Sequence, residues 1–583
     1  MVEVEIYYTD ETEHDTASRY PRLRLGHEVE ARLTAREYAK KIEGWIAKCQ
    51  ATHVACRTES ARLPRRVLDL SCDQIVLVDG QDKAAPYVAL SHCWRTDRPC
   101  ITNHANLGDR MRGINQNELT HVFQDAVQIT RALGIRYLWI DALCIIQDSV
   151  QDWEQQSAVM ADIYSGSYLN ISATRSSSGH ESFLDARWNL HDKIEDRPGW
   201  PLKHQVQSFP VVPGVSADGP RYPSSLKVRK PFRLSHQITD KRFSEASQAV
   251  APLCQRAWVY QEKMLSPRTV HFHANEMVWE CAEKGFCECG YLDMVTHLRI
   301  FKHFITNLSS LSRKDPLEPH SIWRMIVERY YKLSLTYEAD RLPALAGLAA
   351  RFAQHLPEHA DHMYLAGLWR DTLAIDLLWY LKSPGTRLRL PHGPPSWSWA
   401  SLRGSWLTFR WYPCISKHVG NVHRCDHRFS IISASVQGNQ NSIYGAVSGG
   451  LIVVSGILCA ISVHDEPRPW PHWLPPLAAQ APKNSFANLS LKFDDESDKA
   501  EVHGPNSTTC GFLFCLFVGT CHDDGPDGQT YSTVHDGLIL RPFRTPNLTL
   551  FRRIGFWSQL NHGRDNYTEF FTERGETLTI RIV

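Results

Sequence analysis

The stretch from Pro86 to Asp148 constrains the fold more than any other. PYVALSHCW (Pro86–Trp94) is a compact apolar run closed by Ser91, His92 and Trp94. QDAVQITRALG (Gln124–Gly134) has the periodicity of an amphipathic helix, with Gly134 as its C-terminal stop. RYLWIDALCIIQD (Arg136–Asp148) is almost continuously apolar, as a strand covered on both faces would be. Strand, helix, strand in this order predicts parallel neighbours joined by a crossover, and hence an α/β core. A further helix is expected from Asp148 or Ser149, because Asp148 and Gln151 have the spacing of a capping box and Asp152 suits the first turn. SYLNISAT then gives another strand, leading into the polar loop RSSSGHES.

Upstream, Tyr38, Ile42, Ile46, Cys49, His53 and Cys56 recur at spacings of three or four, which predicts a helix over about Thr34–Cys56. A short strand through Ile75 and Leu77 follows, ending at Asp79-Gly80. From about Asp185 to Ala249 the pattern weakens into an insertion or lid. RAWVYQEKMLSPRTVHFHANEMVWEC (Arg256–Cys281) reads as a helix and then strands, and helical pattern returns over Leu298–Leu378. The end of the chain reads as strands, interrupted by a loop at 467–504. The expected organisation is an N-terminal helix and short strands (1–86), an α/β module (87–262, with the insertion at 185–249), a helical middle (263–400) and a β-rich end (401–583). Ser442–Val463 lacks charge over a bilayer's length, but its interspersed glycines and serines favour a buried hairpin turning near Gly449-Gly450.

A chain of 583 residues suggests two or more folding units. Its 64 Lys and Arg nearly balance 63 Asp and Glu, so no global field draws it to nucleic acid or to an anionic membrane. The acidic start lacks a leader, and the 16 cysteines are scattered rather than spaced as a disulfide framework; a cytoplasmic, reducing setting is expected.

Several segments together resemble the fungal heterokaryon-incompatibility (HET) family: YVALSHCW, DAVQITRALGIRYLWIDALCIIQD, the DW…Q…M.DIY spacing over Asp152–Tyr164, RAWVYQEKMLSPR and PSWSWAS (Pro395–Ser401), with looser matches in DRLPALAGLA (Asp340–Ala349) and YLAGLW (Tyr364–Trp369). The resemblance implies non-self recognition or programmed cell death. It also implies a mostly parallel sheet with crossover helices, like that of Toll/interleukin receptor (TIR) domains, some of which hydrolyse NAD. A helical segment and a β-rich region would follow the module.

In an open parallel sheet, ligands sit beyond the carboxyl ends of the strands. Ser91, His92 and Trp94 end one expected strand; Asp141, Gln147 and Asp148 lie at the other. The next helix adds Trp153, Gln156, Met160 and Tyr164 on one face, with Glu154 turned away. Cleavage of a ribosyl–nicotinamide bond needs a carboxylate beside an oxocarbenium-like centre, so Asp141 and Glu154 are the candidate catalytic groups. Ser91, His92, Trp94, Gln147, Asp148, Trp153, Gln156, Tyr164, Gln261 and Glu262 are the candidate ligand contacts. The resemblance places the TIR-like catalytic carboxylate at Gln156, a neutral amide here; a non-catalytic recognition or scaffold role for the same crevice therefore stands beside hydrolysis. Cys144 reads as a buried small hydrophobe. Cys49, His53 and Cys56 have metal-ligand spacing, with Cys72 as a conceivable fourth, but they also continue an apolar stripe, and core packing is the favoured reading. The spacing of Cys281, Cys287 and Cys289 fits no common zinc module. No cofactor is expected, NAD entering only as substrate. A protein partner in incompatibility signalling and self-association remain open; nucleic acid and membrane are not expected.

Overall fold

The computed structural model describes residues 5–8, 24–56, 61–94, 100–187, 207–210, 225–229, 236, 251–294, 302, 318–356, 364–388, 393–410, 422–427, 429–438, 443–462, 490–498, 512–524, 530–545, 548–561 and 575–583. They fall into two compact units, Met1–Asn307 and Leu308–Val583.

The first unit is built on one sheet. Its strands are Arg66–Asp69 (β1), Val76–Asp79 (β2), Tyr87–Ser91 (β3), Tyr137–Trp139 (β4), Leu169–Ser172 (β5), Arg268–Phe272 (β6), Met277–Cys281 (β7) and Gly285–Cys287 (β8). Their order across the sheet is β8-β7-β6-β5-β3-β4-β1-β2. β4, β3, β5 and β6 run parallel, with Val88 opposite Leu138, Ala89 opposite Asn170 and Val270 opposite Ile171. The outer pairings are antiparallel. The expected mostly parallel sheet is thus a mixed one. Short loops join β1 to β2, β6 to β7 and β7 to β8, and a short loop can only return a strand antiparallel. These flanking hairpins come from sequence on both sides of 87–262, so the folding unit is larger than the module read from motifs.

Helix Ala35–Thr52 (α1) starts at Thr34, whose hydroxyl accepts from Glu37 N while Glu37 returns to the Thr34 backbone, and it buries Tyr38, Ile42, Ile46 and Cys49. His121–Ala132 (α2) is capped by Thr120 and ends at Gly134, where φ of +68° suits a residue without Cβ. The long strand expected over Arg136–Asp148 stops at Trp139. Asp141–Cys144 (α3) forms one helical turn instead, held where Thr102 N donates to Ala142 O and Gln147 N to Thr102 O. A buried turn is as apolar as a buried strand, so composition could not separate them.

Val150–Ala158 (α4) is capped by Ser149, whose side chain accepts from Asp152 N; the Asp148/Gln151 box does not form. Asp148 accepts from the backbone N–H and ring of His104 instead. The helix breaks at Val159 and resumes as Met160–Gly166 (α5). Ala257–Leu265 (α6) precedes β6. One apolar core joins α1, α2, both faces of β3 and β4, and the Leu169 and Ile171 face of β5. Fully burying an aliphatic side chain there contributes about 1.5–3 kcal/mol.

A smaller sheet places Glu5–Tyr8 between Arg24–Leu25 and Ser225–Arg229, the last pairing with Gln207–Pro210. Other residues of the expected insertion or lid (188–206, 211–224, 230–235 and 237–249) lie outside the described residues.

In the second unit, helices Glu318–Tyr330 and Pro343–Ala353 accompany a β-rich region. Strand pairing there closes on itself through Phe512–Asp524, Thr530–Arg544, Thr549–Asn561, Glu576–Ile582, Val447–Ser462 and back to Phe512–Asp524. The hairpin expected to turn at Gly449-Gly450 is instead one continuous strand, Val447–Ser462. Its glycines serve close packing: a Cβ on Gly450 would lie 2.8 Å from the Trp397 ring, and one on Gly456 would lie 2.7 Å from Phe429 Cβ. Trp397 and Trp399 were expected two apart on a strand. Trp399 opens a 3-10 turn (Trp399–Ser401) and Trp397 precedes its cap Ser398; both are fully buried, Trp399 Nε1 donating to Gly367 O. Of the loop expected at 467–504, only 490–498 are described. Among the described residues no helix is long and apolar enough to cross a membrane.

Candidate active site

The carboxyl ends of β3 and β4 meet. Because Asp141 opens α3 directly after β4, its carboxylate turns back toward the residues that follow β3. His92 Nε2 lies 2.8 Å from Asp141 Oδ1, and Trp94 Nε1 donates to Oδ2 at 2.8 Å. Ala142 N donates to Oδ1 at 2.7 Å. The other ring nitrogen of His92 faces Cys93 O at 3.2 Å. Both ring nitrogens thus face oxygen atoms. Trp94 stacks on the His92 ring, and Phe123 of α2 packs edge-on against it.

Glu262 of α6 completes the cluster. It is buried, within hydrogen-bonding reach of Ser91 and Tyr164, with Arg256 and Asp141 close enough to act on its charge. Tyr164 also donates to Leu90 O, Ser91 exchanges hydrogen bonds with Asn170 of β5, and Arg256 Nη1 donates to His92 O at 3.1 Å.

The two carboxyls are pushed in opposite directions. Burial dominates at Glu262 and, with the nearby Asp141 charge, raises its pKa to about 7 against the pull of the nearby Ser91 and Tyr164 hydroxyls and of Arg256. At Asp141 burial also acts upward, but His92, the Trp94 indole and Ala142 N together hold it below the usual carboxylate range. A pair separated in this way has one member ionised and the other carrying a proton up to neutral pH, the arrangement from which acid–base roles arise.

Of the residues expected here, Ser91, His92, Trp94, Asp141, Tyr164 and Glu262 come together. Gln147 serves the scaffold, its amide donating to Asp141 O and Ile145 O. Gln156 and Gln261 are buried. Trp153 was expected on one face with Gln156, Met160 and Tyr164, but it is 41% exposed. Glu154 is exposed as well, and neither takes part in the contacts of the cluster. The physical reason is Asp152: it pairs with Arg66 and accepts from Ile146 N, turning the Asp152–Gln156 face of α4 inward. Asp148 is exposed beside His104. Asn170, Phe123 and Arg256 were not foreseen as partners. Only Arg256 left a signal, as a charge immediately before the apolar start (Ala257–Tyr260) of α6.

Asp141 is 16% exposed and Trp94 37%, while His92 and Glu262 are buried. A cavity of about 310 Å³ opens at the start of α2, lined by Cys100, Arg110, Glu118, Thr120, His121 and His180 among others. Neither Asp141 nor Glu262 lines it.

Cys72 is exposed and does not join Cys49, His53 and Cys56. Cys281, at the end of β7, lies against them instead. His236, Glu276, Cys287 and Cys289 form another buried group, in which Glu276 pairs with His236 at 2.9 Å and accepts from Cys289 N. No curated protein and no solved structure matches this chain. Residues 87–262 match the family model described as heterokaryon incompatibility protein (HET). That span runs from the first residue of β3 to Glu262 and holds every member of the Asp141 cluster, so the cluster lies wholly within a heterokaryon-incompatibility (HET) domain.

Proposed function

We propose that this protein acts in fungal heterokaryon incompatibility and cell death by hydrolysing a nucleotide N-glycosidic bond, with NAD as substrate, at the Asp141–Glu262 cluster. The observation that carries this reading is the convergence of two carboxyls, Asp141 held by His92 and Trp94 and buried Glu262, at the carboxyl ends of β3 and β4; burial pushing Glu262 up while its donors hold Asp141 down accords with it. The parallel strands β3, β4 and β5, whose carboxyl ends lie at the cluster, support it.

In this mechanism the ribosyl C1′–N bond breaks and its electron pair neutralises the pyridinium, so the nicotinamide leaves without needing a proton. Asp141 stabilises the cationic ribosyl centre. Water adds to C1′, and ionised Glu262 accepts the proton that water gives up. Trp94, the most exposed ring of the cluster, offers a face on which a base can stack. Gln156 can hydrogen-bond but cannot supply charge, so Asp141 carries that role.

Purified full-length protein is expected to consume NAD, with a rate that rises with pH through about 7 as Glu262 ionises. Asp141→Asn and Glu262→Gln should each lower the rate about 10²–10⁴-fold. No loss of NAD at high protein concentration would end this reading.

A specific observation favours a second reading. Asp141 already has three donors, and most of the cluster is buried, as in a recognition module whose polar groups hold its shape. A recognition or scaffold protein of this kind would engage a protein partner while leaving NAD intact. Its cell-death activity would then survive Asp141→Asn and fail on alteration of a surface patch.

A further inference from the structure

α1 brings Cys49 and His53 one helical turn apart, and the 3-10 turn Val54–Cys56 folds Cys56 back beside them. β7 delivers Cys281 from the far side of the module, its Sγ 3.3 Å from His53 Nδ1. The four ligand atoms all lie within 4.8 Å of one another, and all four residues are buried. A tetrahedral zinc ion, with bonds of about 2.3 Å to sulfur and about 2.0 Å to nitrogen, needs ligand atoms about 3.3–3.8 Å apart. The 4.8 Å limit on the four atoms exceeds that spacing by only about 1 Å, and Cys281 Sγ and His53 Nδ1 already meet it.

We infer that Cys49, His53, Cys56 and Cys281 form a structural zinc site that fastens the end of α1 to the β7–β8 hairpin. The set supplies four ligands and leaves no position for a substrate, as structural sites do.

The surroundings suit a metal better than they suit plain packing. Lys284 N donates to Cys281 Sγ at 3.3 Å, the kind of backbone support that stabilises a metal-bound thiolate. Three thiolates and one imidazole on Zn²⁺ carry a net charge of −1, which a buried site must offset. Arg268, fully buried, donates to Cys56 O and lies close to Cys49, and buried Lys302 lies near Cys56 and Cys281. His53 stacks on Phe286, and Ala55 N donates to Glu283, so both sides of the set are independently fixed. A purely apolar stripe would need none of these polar supports. The other buried group, around Cys287 and Cys289, differs in that Glu276 is already engaged by His236 and by Cys289 N.

The inference does not depend on the hydrolase reading, because its test reads metal content. Full-length protein is purified with zinc and reductant present, then desalted and analysed for metal. The wild type should retain stoichiometric zinc. Cys281→Ser should hold one equivalent fewer per chain, and Cys72→Ser should match the wild type. Wild-type protein without stoichiometric zinc, or Cys281→Ser with an unchanged content, would overturn the site. Should Cys281→Ser fail to fold, Co²⁺-loaded wild type decides. Tetrahedral d–d bands with three-thiolate charge-transfer intensity support the inference; their absence, or a disulfide within the Cys49, Cys56 and Cys281 set found by mass spectrometry, refutes it.

Discussion

Glu262→Gln is expected to match the wild type in stability near pH 4 and to become progressively more stable than it as the pH rises to about 8, by about 3 kcal/mol in all. The folded protein keeps the Glu262 proton to about pH 7, whereas an unfolded chain releases it near 4.5. Between those values the native state binds more protons than the unfolded state, so wild-type stability falls as the pH rises and levels off once Glu262 is ionised in both states. Glutamine keeps the shape and cannot ionise, so it escapes the loss. The buried thiol of Cys144 sits in the same core, and its protection from labelling in urea, followed across pH, reads the difference. Parallel pH profiles for the two proteins would mean that Glu262 is an ordinary carboxylate.

Arg553→Ala is expected to destabilise the second unit by about 3–5 kcal/mol. Arg553 is fully buried; its Nε donates to Asp494 Oδ2 at 3.0 Å, its remaining nitrogens reach Leu377 O and Trp379 O, and its guanidinium lies 3.4 Å from the centre of the Trp379 ring. Truncation leaves Asp494 as a buried charge without its partner, as well as two unmet carbonyls. Burial already pushes the Asp494 pKa up, even against the Arg553 charge, so the lone carboxyl would take up a proton rather than stay ionised. Replacing both partners with apolar side chains, as in Arg553→Met with Asp494→Leu, should recover much of the loss. Labelling of the buried Cys459 and Cys515 in urea measures both variants. A cost below about 1 kcal/mol for Arg553→Ala would show that the pair adds little.

The sequence carried the local structure well where hydrophobic period and caps agree. Thr34 and the stripe from Tyr38 to Cys49 define α1, and the YVALS and YLW runs define the two strands whose tips meet. The strand expected to continue past Trp139 was not separable from the α3 turn, since Ala142, Leu143 and Cys144 are buried either way. Contacts set by tertiary geometry were not legible. The pull of Arg66 on Asp152 decides which face of α4 turns inward, sending Trp153 outward, and Arg66 lies 86 residues away. Cys281 reaches His53 only because hairpin β6–β7 sits at the right place in the sheet, 228 residues along the chain. Glycine spacing at Gly449-Gly450 suggested a turn, whereas Gly450 and Gly456 make room for Trp397 and Phe429.

Direct titration of the Asp141 and Glu262 carboxyls tests the proposed acid–base centre best. In protein carrying ¹³C at the glutamate and aspartate side-chain carboxyls, the signal that is absent from Glu262→Gln should titrate near pH 7, while the signal that is absent from Asp141→Asn should titrate below the usual carboxylate range. If the Glu262 signal instead moves at the ordinary carboxylate pKa of about 4.3, the opposed pair does not exist, and the acid–base centre goes with it.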